Sequence, residues 1–192
     1  MVPLGRPGDR GRGGLTDLTG DGTAMNDDTS AGLDLAAITA ERDRLRSQYL
    51  RADRPASSAR GVHHVALLSS DVERTIRFYQ GLLEFPLTEI FENRDYAGSN
   101  HFFFDIGNGN LLAFFDFPGL DLGPYDEVLG GLHHVAISVE PGRWARLRDK
   151  LYEAGVGYQE ESGTSLYFND PDGARLELIA DSLGSMYGHE VG

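Results

Sequence analysis

The sequence predicts an α+β protein built from two copies of one strand–helix–strands module, and three observations carry that prediction. GVHHVALLSSDVERTIRFYQGLLEF at 61–85 is answered by GLHHVAISVEPGRWARLRDKLYEAG at 131–155, an internal repeat that sets His64 and His134 70 residues apart. In each copy a short alternating stretch leads into an amphipathic helix, expected near 71–83 and near 141–154. Each copy then ends in strands folded about a glycine turn, at Gly109 in DIGNGNLLAFFDF and at Gly173 in NDPDGARLELIAD. Setting those two glycines side by side aligns His101 with Ser165, Phe103 with Tyr167, Asn110 with Ala174 and Ala113 with Glu177.

Taken in chain order, residues 1–32 hold eight of the 25 glycines and no aliphatic clusters, so they are expected to be a disordered tail. Met25 within it is read as an alternative translational start. Residues 33–60 are expected to be a helix and a linker: Leu35, Ile38, Leu45 and Tyr49 fall near one helical face, Asp34 suits the first turn, and ADRPASSARG breaks the pattern. The first module spans 61–118, a connection follows at 119–130, and the second module spans 131–181. Residues 182–192 are read as a C-terminal tail or lid.

Composition removes several classes of function. The 192 residues carry a formal charge of −13, which offers no basic stripe for nucleic acid and disfavours anionic membrane surfaces. No window approaches a membrane span and no apolar signal region opens the chain, so a cytoplasmic protein is expected. With no cysteine, disulfides, thiolate ligands and Cys nucleophiles drop out, and any metal or catalytic centre must use His, Asp, Glu, Tyr or Ser.

Modules of about 50–60 residues are too small to be comfortably stable alone, so the two are expected to pack together about a pseudo-two-fold axis. The repeated histidine doublets would then converge across that axis, although strand alternation lets only one His of each doublet point into a shared cavity. Glu177 is the third signal. It alternates with Arg175 and Ile179 in the apolar run ARLELIA, where a neutral residue would pack better, and so needs a partner. A charge in a terminal strand also serves to protect an edge. Two imidazoles and one carboxylate form the set that holds one face of a divalent ion and leaves other positions open. Without thiolates the expected ion is a hard or borderline one such as Fe(II), Mn or Ni, with Zn also possible.

HHVALLSSDVERTIRFY, HHVAISV and LYFNDPDGARLELI resemble the vicinal oxygen chelate (VOC) superfamily over about 61–181. That superfamily includes glyoxalase I, methylmalonyl-CoA epimerase, fosfomycin-resistance enzymes and extradiol ring-cleavage dioxygenases. The resemblance implies two βαβββ modules paired into a cupped mixed β-sheet around one metal site, with His64, His134 and Glu177 as ligands.

Glyoxalase I relatives carry a fourth ligand, Glu, where this chain has Ala113, so the resemblance leans towards the ring-cleavage enzymes and their three ligands. It implies an extradiol-type dioxygenase that takes dioxygen and a small catechol-like substrate chelated through vicinal oxygens. Tyr167 lies where those enzymes place a Tyr that hydrogen-bonds the substrate oxygen. Their acid/base His is replaced by Asn110 and none precedes LYFNDP, which leaves His101 in SNHFFF to move a proton. Phe103, on the same face as His101, and Asn110 are expected to contact the substrate, and Arg94 in FENRDYAGSN to pair with a substrate carboxylate. The alternatives are a glyoxalase- or epimerase-type lyase or isomerase with Glu177 as base, and a metal-free drug-binding module. A monomer and a homodimer, paired through the 33–50 helix, are both compatible with the sequence.

Overall fold

The computed structural model describes residues 32–191, so the expected tail and Met25 lie outside the described residues. It divides into two units at Ser57/Ser58. The described residues of the first unit form one helix, α1 (Leu35–Tyr49), started by the Asp34 side chain, which accepts the Ala37 N–H at 2.9 Å. Leu35, Ile38, Leu45 and Tyr49 are all exposed on it.

In the second unit the repeat becomes two modules of matching topology. The first runs β1 (His64–Leu68), α2 (Val72–Ile76), β2 (Leu87–Glu92), β3 (Asn100–Asp105) and β4 (Leu111–Phe115). The second runs β5 (Val135–Ser138), α3 (Pro141–Glu153), β6 (Tyr158–Glu161), β7 (Ser165–Asn169) and β8 (Arg175–Ile179). A two-residue pair, β9 (Ser185–Met186) with β10 (His189–Glu190), closes the described chain. Each module forms a four-stranded mixed sheet, in the orders β1-β4-β3-β2 and β5-β8-β7-β6. In both sheets the first strand pairs in parallel with the last, and the remaining pairs are antiparallel.

The aligned glycines set corresponding registers. His101 faces Phe115 and Phe103 faces Ala113 across β3–β4, just as Ser165 faces Ile179 and Tyr167 faces Glu177 across β7–β8. Gly109 and Gly173 both take positive φ, 72° and 91°, in the turns that close these hairpins, a backbone region that a Cβ strains.

The helices differ where the sequence predicts alike. α2 is capped by Asp71, which accepts the Arg74 N–H at 3.0 Å, but after Ile76 it widens into a π-helical stretch, Arg77–Leu82. α3 stays regular, with Pro141 at its start and Trp144, Leu147 and Leu151 buried at i, i+3 and i+7. The Trp144 indole donates to the Leu178 carbonyl at 3.0 Å and so fastens α3 to β8.

Both sheets bury their helix-bearing faces in one common core, which includes Tyr79, Leu83, Phe102 and Phe114 from the first module and Trp144, Leu147, Leu166 and Leu176 from the second. Polar contacts seal this junction. The Tyr79 hydroxyl donates to Asp170 Oδ2 at 3.0 Å, Arg74 pairs with Asp172 at 2.6 Å, and Lys150 reaches the Gly81 carbonyl at 3.1 Å and Glu84 at 3.2 Å. None of the described helices is long and apolar enough to cross a membrane.

Candidate metal and substrate site

Strand alternation separates the two faces of each sheet. Val65 and Leu67 pack against the core, which turns His64, Ala66 and Leu68 to the other side. In β8, Leu176 and Leu178 enter the core, and Arg175, Glu177 and Ile179 take the opposite face.

On the second module that face carries His134, Tyr167 and Glu177. His134 Nε2 lies 3.1 Å from Glu177 Oε2. Glu177 is only 1% exposed, yet neither of its carboxylate oxygens accepts a well-formed hydrogen bond. A buried carboxylate without partners costs several kcal/mol, and a charged His134 would answer only one of the two oxygens. A cation beside Oε1, Oε2 and the His134 imidazole would meet both, so these residues fit a divalent ion. Tyr167 stands edge-on to His134, with ring centroids 5.7 Å apart. Its phenol is pushed up to about 12, first by burial and then by the neighbouring Glu177 carboxylate, and therefore remains a hydrogen-bond donor at neutral pH. The Arg175 guanidinium sits 5.4 Å from the Tyr167 ring and pairs with Glu127 at 3.3 Å.

On the first module the corresponding face is aromatic. His64 lies 6.5 Å from His101 and 6.3 Å from Phe103, ring to ring. His101 stacks on Phe115 at 3.8 Å and lies 4.2 Å from Phe103 and 5.5 Å from Phe91. Its Nε2 is buried without a hydrogen-bond partner, and burial, then the nearby His64, lowers its pKa, which favours the neutral imidazole. Ala113, fully buried, occupies the position that Glu177 holds in the other module.

The expectation that His64, His134 and Glu177 converge within one chain is not met. Among the described residues, no three His, Cys, Asp or Glu side chains gather as an ion-binding group. The structure brings His134, Glu177 and Tyr167 together, and separately His64, His101 and Phe103. The reason lies in the docking: the modules meet through their helix-bearing faces, which leaves the two histidine-bearing faces as separate halves.

Two further expected residues sit elsewhere. Arg94 is exposed and bonded through Nε and Nη2 to its neighbour Asp95, at 2.8 and 2.9 Å. Asn110 closes the β3–β4 turn through its backbone and lines a groove of about 1390 Å³ between the modules, with Val65, Asp105 and Ile137, away from the histidines. A smaller cleft of about 790 Å³ does reach Tyr167 and Arg175, beside Tyr125 and Glu127.

The sequence reading passed over the first histidine of each doublet. His63 Nδ1 lies 2.8 Å from His64 Nδ1, and His133 Nδ1 lies 2.6 Å from His134 Nδ1. When the second histidine of a doublet donates in this bond, its Nε2 keeps a free lone pair. The repetition of the whole doublet was the available signal. Phe91 and Phe115 were legible only through the register that places both opposite His101.

Residues 61–178 match the family described as the glyoxalase/bleomycin resistance protein/dioxygenase superfamily, and the chain belongs to it. Among curated relatives it is 29% identical over 140 residues to the putative ring-cleaving dioxygenase MhqA of Bacillus subtilis, a match that covers 68% of this chain and 43% of MhqA. It is 28% identical over 137 residues to the metallothiol transferase FosB of Shouchella clausii, covering 67% of this chain and 86% of FosB. The chain thus spans less than half the length of the ring-cleaving relative. Among solved structures, a glyoxylase/bleomycin resistance protein/dioxygenase domain from Frankia sp. EAN1pec superposes with a TM-score of 0.56 at 25% identity, covering 65% of this chain and all of that one. Members of this superfamily typically bind a divalent metal and act on small molecules.

Proposed function

We propose that this protein is a metal-dependent dioxygenase of the extradiol type, which opens a small catechol-like ring. The observation that carries the metal is Glu177, buried beside His134 and Tyr167 with no well-formed hydrogen bond to either carboxylate oxygen. His134 and Glu177, which stand together, would hold the ion, and His64, carried on the other sheet face, is the third ligand that the family resemblance implies, with Fe(II) preferred for an all-nitrogen-and-oxygen set. The ion would supply Lewis acidity towards the vicinal oxygens of the substrate and, as iron, an electron path to dioxygen.

The chain's own side chains do the rest. Phe91 and Phe103, tilted 38° to each other, and Phe115 beneath His101 offer an apolar wall against which an aromatic ring would pack. His101, neutral and with Nε2 free of protein partners, accepts or returns a proton at that wall. The Tyr167 hydroxyl donates to a substrate oxygen and stays protonated while doing so. The aromatic wall favours this reading over that of a thiol transferase or of a lyase acting on a small anionic substrate, which calls for a cluster of cations. Among the described residues the cation recorded beside Tyr167 on that face is Arg175, already paired with Glu127.

The test is metal content together with oxygen uptake on a panel of catechols, with and without air. Iron and stoichiometric oxygen consumption are expected. Turnover without oxygen would assign the chain to the lyase or isomerase branch, and purified protein that takes up no metal would remove the enzyme reading.

A further inference from the structure

The contacts around His134 run outwards into the 119–130 connection. Glu127 in that connection places Oε1 3.3 Å from the Arg175 guanidinium and Oε2 3.8 Å from His133 Nε2. The Tyr125 hydroxyl donates to the Leu132 carbonyl and, at 3.2 Å, to that of His133, and so ties the same connection to the backbone that carries the doublet. His133 Nδ1 and His134 Nδ1 are 2.6 Å apart, and His134 Nε2 faces Glu177 Oε2 at 3.1 Å. One carboxylate therefore stands at each end of a hydrogen-bonded pair of imidazoles. The first module has neither: Ala113 takes the place of Glu177, and among the described residues the histidines in ion pairs are His133 and His134.

A neutral doublet holds one proton per ring, and the bond between the two Nδ1 atoms allows two arrangements. In the first, His133 donates through Nδ1 and His134 carries its proton on Nε2, towards Glu177. The bare lone pair of His133 Nε2 then faces the Glu127 charge. In the second, His134 donates through Nδ1 and His133 carries its proton on Nε2, towards Glu127. Each arrangement holds two ring protons, so one converts to the other without gain or loss. Only the second leaves a lone pair on His134 Nε2 for a cation. At 3.8 Å Glu127 is beyond a direct hydrogen bond, yet its charge repels the lone pair of the first arrangement and attracts the N–H of the second.

We propose that Glu127, acting through His133, is a positioning residue that sets the His134 tautomer for metal ligation, in opposition to Glu177, which favours the other tautomer until an ion occupies its oxygens. This rests on the metal reading above and adds what prepares His134 for the ion. Arg175, paired with Oε1, keeps Oε2 of Glu127 turned to His133.

The test is Mn(II) affinity, titrated against the free-ion electron paramagnetic resonance signal, in wild type, Glu127→Gln, His133→Phe and the double variant. The His133 and Glu127 side chains are 62% and 45% exposed, so these changes leave the core untouched. Glu127→Gln is expected to weaken binding about tenfold in the wild-type background and to have no further effect beside His133→Phe. Asp126→Asn, a loss of the same charge at the next residue, is expected to weaken it about twofold at most at physiological salt. In nitrogen-15 spectra of histidine-labelled protein, loading with diamagnetic Zn(II) is expected to move the His133 proton from Nδ1 to Nε2.

A Glu127→Gln effect that is equal with and without His133, or matched by Asp126→Asn, overturns the proposal and leaves the metal reading intact. So does a Zn(II)-loaded protein whose His133 keeps its proton on Nδ1. Wild-type protein that takes up neither ion overturns the metal reading, and this proposal with it.

Discussion

At one register position the two modules carry opposite side chains. Ala113 in β4 lies between Ala66 and Phe103, and Glu177 in β8 lies between Ala136 and Tyr167. Both positions are buried, so burial does not distinguish them. The chemistry does: where the carboxylate stands, its cross-strand neighbour carries a hydroxyl, and where alanine stands, the neighbour is a plain phenyl ring. On the proposed function, the two copies of one module divide the work into an ion-holding face and a ring-holding face. One keeps a buried charge that costs stability, and the other keeps a cheap apolar surface.

The largest expected effect comes from erasing the difference on the second module. Glu177→Gln should abolish tight metal binding and lower turnover by at least about a hundredfold, read by metal analysis and oxygen uptake, because a ligand is lost outright. The same change should raise the stability of the metal-free protein by about 1 kcal/mol in chemical denaturation, since the charge buried beside His134 and Tyr167 is removed. A metal-free Glu177→Gln protein less stable than wild type would show that Glu177 is satisfied after all.

The converse swap sharpens the contrast through stability. Ala113→Glu should cost about 3 kcal/mol or more in urea denaturation, because the fully buried position has Ala66 and Phe103 on either side and no cation. Near-neutral behaviour would mean that the first module can house a carboxylate as readily as the second.

A smaller effect separates His101 from its counterpart Ser165. His101→Phe keeps the stack on Phe115 and removes the titrating nitrogen, so kcat should fall about tenfold to a hundredfold with little change in KM. An unchanged kcat would reduce His101 to a packing residue.

The smallest concerns the contact that holds the modules together. Tyr79→Phe removes the hydroxyl that Asp170 accepts, which should lower stability by about 1 kcal/mol without altering metal stoichiometry. Asp170 still accepts the Asp172 and Ala174 N–H groups, at 2.9 and 2.8 Å, and for that reason the loss stays modest.

Much of this was legible in the sequence. The repeat and its two turn glycines located both modules and both hairpins, and the alignment they imposed is the register that pairs Tyr167 with Glu177 and Phe103 with Ala113. A period of two also placed His64 and Glu177 on the faces away from the helices. The π-helical widening after Ile76 was not legible, because Val72, Ile76, Tyr79 and Leu83 keep helical spacing across it. The surroundings of Arg94 and Asn110 were not legible for a related reason: a loop residue's neighbours depend on how its loop folds back, and Arg94 pairs with Asp95.

The sequence by itself determined the module, its register and the face each side chain takes, since these follow from spacings of two and of three to four residues along a single strand or helix. Only the tertiary structure decided which faces meet. That choice rests on contacts between residues some 90 or more positions apart, Tyr79 with Asp170 and Arg74 with Asp172, and on shape matching in the common core, neither of which leaves a periodic trace in the chain. The docking they select buries the helices together and leaves His64 on one half-site and His134 with Glu177 on the other.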